Sequence, residues 1–138
     1  MKKWIKGMIA AGILAALFLT GCSQNQLSDK FDEETVKEEA EKAVELFNER
    51  DYQGILDMGD ENMKNGITAE KFAEASDPYL DKCGKFQEIG KTVVLGTSDK
   101  ETGKEFGGVV MIGNYEEGKI QFTIAFDEDM KLVQFLIK

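Results

Sequence analysis

Histidine is missing from all 138 residues of this chain. Serine–histidine and cysteine–histidine nucleophilic pairs are thereby excluded, as is any metal site that needs an imidazole. Two cysteines are present, Cys22 and Cys83. Cys83 precedes Gly84, and with no histidine to activate its thiol it reads as a small, partly buried side chain beside a turn. Carboxylates gather in two places. Asp57, Asp60 and Glu61 lie close together, but a calcium loop of the EF-hand type needs alternating acids, a central glycine and a terminal glutamate. This stretch lacks that register. Asp127 and Asp129 fall between two apolar runs, where acids ordinarily serve a turn. No metal and no cofactor is expected. Acidic residues outnumber basic ones 26 to 17, a net charge of −9. That balance argues against nucleic acid, because phosphate binding runs on clustered lysine and arginine.

The amino end carries chemistry of another kind. Lys2, Lys3 and Lys6 precede an uncharged apolar run from Met8 to Thr20. The run fits the core of a signal peptide, about 7–15 residues, and falls short of the ~20 needed to span a bilayer. It ends in Leu19-Thr20-Gly21-Cys22, which resembles the lipobox of bacterial lipoproteins. The resemblance implies cleavage between Gly21 and Cys22 and diacylglycerol on the Cys22 sulfur. The expected organisation is a signal peptide over 1–21, a lipidated cysteine and flexible tether over 22–31, and a folded domain over 32–138. Loss of the signal removes three lysines and no acid, moving the net charge to −12. Each buried lipid methylene contributes about 0.8 kcal/mol, so two acyl chains anchor firmly where charge would repel. The place implied is the cell envelope, on the extracytoplasmic face of the membrane. With Cys22 acylated, Cys83 has no partner for an intramolecular disulfide.

The elements that must position everything else follow from periodicity. Val36, Ala40, Ala43, Val44 and Phe47 form one apolar stripe, which predicts a helix over about 32–49 with Asp32 as its cap. Asp51 is placed to cap a short second helix carrying Tyr52, Ile55, Leu56 and Met58, and Gly59–Asn62 reads as a loop. Thr68 opens a third helix with Phe72, Ala75, Ser76, Tyr79 and Leu80 on one face, kinked or broken at Pro78 and ended at Gly84. The period then changes from helical to alternating. Strands are predicted over about 85–95, 105–115, 119–126 and 131–137. Ile120, Phe122, Ile124 and Phe126 share one phase of the third. Val109, Met111, Leu132 and Leu136 are assigned to the sheet face turned from the helices, where uncovered apolar area would support a homodimer. The fold class is α+β, with three helices packed on a curved four-stranded antiparallel sheet.

The segment Ala43–Leu56, with its Asp51-Tyr52 step between helices, is similar to the opening helix pair of the nuclear-transport-factor-two-like (cystatin-like) superfamily. Ile67–Phe72, Gly84-Lys85-Phe86 and Ile120–Asp129 resemble domain of unknown function 3887 within it. The resemblance implies a cone-shaped domain with a pocket, for which Tyr79, Phe106, Phe122 and Phe135 are lining candidates, and dimers through the sheet. The superfamily contains binding modules and also isomerases and dehydratases that use a carboxylate base and hydroxyl donors. Tyr79 and Glu88 are the weak catalytic candidates here, with Tyr52 and Tyr115 behind them. The preferred reading is a non-catalytic module for a small ligand or protein partner; the alternative is an isomerase or dehydratase using the cone pocket.

Overall fold

The structure, a computed structural model, describes residues 26–138. The signal-peptide and lipidation assignments, Gly21 and Cys22 included, lie outside the described residues. Among the described residues four helices precede a four-stranded antiparallel sheet that does not close on itself.

Each helix begins where a short polar side chain can take up an otherwise orphaned amide. In α1 (Glu33–Asn48), Asp32 accepts from the Thr35 amide at 3.0 Å, and Val36, Ala40, Ala43, Val44 and Phe47 are buried. In α2 (Tyr52–Asp57), Asp51 accepts from the Gly54 amide at 2.9 Å. Asp60 does the same for Met63 at 2.9 Å, opening a further short helix, α3 (Glu61–Gly66), where a loop was expected. Thr68 caps α4 (Ala69–Cys83), which runs unbroken through Pro78 and ends at Gly84, φ 76°. A mid-helix proline costs about 3 kcal/mol or more. Burial of Phe72, Ser76, Leu80 and Cys83 along the inner face of α4 offsets it.

The strands are β1 (Phe86–Ser98), β2 (Glu105–Tyr115), β3 (Gly118–Phe126) and β4 (Leu132–Ile137), paired in chain order. The core lies between α1, α2, α4 and one sheet face, with Phe47 edge-on to Phe122 at 5.2 Å. Two phase assignments are corrected. Val109 and Met111 pair with Ile124 and Phe122 and are fully buried in this core. Both phases of β2 are apolar there, so alternation could not choose between them. Leu132 is likewise fully buried. Pairing moves from Ala125↔Gln134 to Phe126↔Leu132, leaving Val133 as the extra residue of a bulge. One extra residue reverses the phase, bringing Leu132 onto the same face as Phe135. The outward face instead carries Val93, Leu95, Phe106, Val110, Ile112 and Leu136.

The packed domain also begins earlier than Asp32. Phe31 is buried and Leu27 packs against the core. A Cβ on Gly107 would stand 3.1 Å from the Phe31 ring, and one on Gly96 would meet the backbone of Gln26 and Leu27. Both glycines let this segment lie directly on the sheet.

Candidate functional site

The best-formed apolar concavity lies where α4 passes the free edge of β4. Leu56 of α2, Met63 of α3 and Ile67 form one end; Phe72, Ala75, Ser76 and Tyr79 of α4 form a wall; Phe135, Leu136 and Ile137 of β4 form the other. Its volume, about 350 Å³, sits at the lower end of ligand-pocket sizes, roughly 300–1,000 Å³. None of these ten residues has a carboxylate, an amine or a thiol. The side-chain hydroxyls of Ser76 and Tyr79 are the polar groups available. Such a wall can desolvate an apolar group and orient it by one or two hydrogen bonds.

Of the four lining candidates, Tyr79 and Phe135 are in this groove. Phe122 lies behind Phe135, ring centroids 5.9 Å apart, and is fully buried, so it backs the groove without lining it. Phe106 follows Glu105 and precedes Gly107 on β2, and alternation turns it to the opposite sheet face. Glu88 is exposed on β1, at the far edge of the sheet from β4. Glu88 does not line the groove that holds Tyr79.

The polar residues that do converge were missed as a group. Arg50 reaches Asp77 at 3.0 Å and Asp81 at 2.9 Å, while Tyr52 donates its hydroxyl to Asp77 at 2.6 Å. The cluster ties the α1–α2 turn to α4. Burial, then the bond to Asp77, pushes the Tyr52 phenol well above its ordinary value. Tyr115 is raised as well, first by burial and then by the nearby Cys83, and it donates to the Asn48 side chain. Cys83 itself is buried, free of any disulfide and against Gly118. Both hydroxyls are already given to protein acceptors, Asp77 and Asn48, so these contacts read as fastenings. The only sequence signal for them was the run Asn48-Glu49-Arg50-Asp51-Tyr52. The acids at 127 and 129 belong to a turn: Asp127 accepts from the amides of Asp129 and Lys131, both at 2.9 Å. Among the described residues no group of three or more metal-ligating side chains comes together.

The family described as "Protein of unknown function (DUF3887)" matches residues 40–135. The chain belongs to this family. Its DUF3887 region thus takes in α1 from Ala40, every later helix, and the sheet as far as Phe135, so it contains most of the groove. The chain is also similar to a solved structure, "NMR structure of protein from Ruminococcus gnavus ATCC 29149". The two are 33% identical, with a TM-score of 0.72, over 81% of this chain and 96% of that one. No curated protein matches the chain.

Proposed function

We propose that this DUF3887 chain is a lipoprotein of the cell envelope, held to the outer face of the membrane by lipid on Cys22. Its domain acts as a non-catalytic binding module, of the nuclear-transport-factor-two-like kind, that takes an apolar ligand or protein segment in the α4–β4 groove. A single observation carries the binding reading: the ten-residue apolar wall, with Ile67 and Tyr79 exposed in it. The membrane reading is supported by Leu19-Thr20-Gly21-Cys22 behind an uncharged apolar run. Among the described residues no helix is long and apolar enough to cross a membrane. The outward sheet face, apolar at Val93, Val110 and Leu136, supports pairing with a second copy.

Indole, an apolar probe small enough for 350 Å³, tests the groove. Titrated into the isotope-labelled full chain in mild detergent, it is expected to shift the amides of Ala75, Tyr79 and Ile137. Ala75, exposed on the α4 wall, gives room for Ala75→Phe to fill the groove, which should remove those shifts with the remaining spectrum unchanged. Equal shifts in both proteins would defeat the assignment.

A further inference from the structure

The free edge of the sheet changes character along β4. At Leu132 it is occupied: the Leu132 amide donates to the Met58 carbonyl at 2.8 Å, and its carbonyl accepts from the Asp60 amide at 3.1 Å. Farther along, Gln121 and Lys138 exchange both backbone bonds, at 3.0 and 3.1 Å. In an antiparallel ladder such pairs alternate, so Leu136 and Gln134 turn their backbone groups toward β3, and Ile137 and Phe135 turn theirs away. No backbone partner for those two residues is present among the described residues.

Edge strands are ordinarily protected by lysine, proline or repeated bulges. Val133–Ile137 contains no charge and no proline, and its bulge stands at Val133, before the open stretch. The groove runs beside this stretch. Ile67 and Tyr79, 36% and 38% exposed, are two of the three large exposed hydrophobics among the described residues, and both stand in its wall. Charge gives a third observation. Asp57, Glu61, Glu70 and Glu74 of α2–α4, with Asp60 at the α3 cap, make no ion pair among the described residues, against three unpaired lysines, Lys64, Lys71 and Lys82.

We infer that the β4 edge takes an extended peptide strand, apolar on the side facing the groove and flanked by lysine or arginine. The strand pairs with the backbone groups of Phe135 and Ile137, places its apolar side chains against Ile67 and Tyr79, and sets its cationic ends among the acids of α2, α3 and α4. Main-chain bonds supply affinity in this mode, and the alternate side-chain pockets supply selection. A second copy of the chain is the poorer occupant, because it brings the same excess of acids to the same edge. This inference deepens the groove reading above and rests on it.

The test uses the labelled full chain in mild detergent and a synthetic peptide with an alternating valine–threonine core and two lysines at each end. Binding should slow exchange of the Phe135 and Ile137 amides tenfold or more, while the Gln134 and Leu136 amides, already bonded to β3, change little. Two versions N-methylated on opposite alternating amides distinguish strand pairing from side-chain docking: one should bind at least tenfold more weakly. A version with glutamates in place of the four lysines should also weaken tenfold, as should Ile67→Lys in the protein. Equal binding by both N-methylated versions would overturn the inference. So would absence of protection at Phe135 and Ile137 while indole still shifts Ala75 and Tyr79, an outcome that leaves the groove reading standing. Loss of the indole shifts as well would take both readings down. Concentration-dependent protection of the two amides without peptide would assign the edge to a second copy instead.

Discussion

Arg50 occupies a left-handed backbone conformation, φ 60°, at the position following the α1 cap where glycine is favoured. The Arg50 amide donates to Phe47 and the Asp51 amide to Leu46, the two bonds that close a helix in this way. A side chain there costs about 1–2 kcal/mol, and two exposed ion pairs return about 0.2–1 kcal/mol each. Arg50→Ala keeps the backbone cost and loses the pairs, so urea denaturation should show a loss of about 1 kcal/mol. Arg50→Gly loses both and should fall within about 0.5 kcal/mol of the parent. Equal losses in the two variants would mean that the ion pairs, and not the backbone, decide. Tyr52 gives a pH prediction from the same cluster. Its folded value is raised above the unfolded 10.0, so the stability it contributes is complete below pH 10 and disappears as pH climbs toward the folded value. Tyr52→Phe should therefore cost about 1 kcal/mol at pH 8, with the difference shrinking toward zero at pH 11.

Among the elements, β4 departs most from what its residues suggest. Gln134 pairs with Ala125 and is 1% exposed, yet among the described residues neither its amide nitrogen nor its carbonyl oxygen has a partner. A buried polar group left unbonded costs about 1–3 kcal/mol. Gln134→Met, similar in length and without the amide, should raise the denaturation midpoint by about 1 kcal/mol of stability; a loss would show that the amide is satisfied in solution. The helices were legible because their signals are local. Asp32, Asp51 and Thr68 each sit one residue before a helix and accept an amide within it. Asp60 uses the same chemistry, but α3 buries none of its residues, so no stripe accompanied the cap. The strands were legible as alternation, while their faces were not. Val109-Val110-Met111-Ile112 is apolar in both phases, and the Val133 bulge is a matter of pairing with β3 that β4 alone does not encode. The groove was half legible for the same reason: Tyr79 and Phe135 follow helix and strand periods, whereas Phe106 depended on the phase of β2.

Across the whole molecule the two sheet faces divide the work. One is filled by α1, α2 and α4; the other presents Val93, 43% exposed, with Leu95, Val110, Ile112 and Leu136 on β1, β2 and β4, while β3 turns Gln121, Thr123 and Ala125 to it. A stable pair of domains ordinarily buries about 1,200–2,000 Å² in total, and this face, apolar on β1, β2 and β4, is the surface here suited to supply it. The net charge of −9 opposes that contact. Repulsion between exposed charges is screened over about 8–10 Å at ordinary ionic strength, and apolar burial is not weakened by salt. Association through this face should therefore tighten as salt rises, the reverse of a contact held by ion pairs. Sedimentation of the full chain in detergent, at high micromolar concentration and at low and high salt, is expected to show a dimer fraction growing with salt. Val93→Lys together with Val110→Asp should reduce it to monomer without loss of fold, since neither side chain belongs to the buried core. A monomer at every salt concentration would leave the outward face without a second copy.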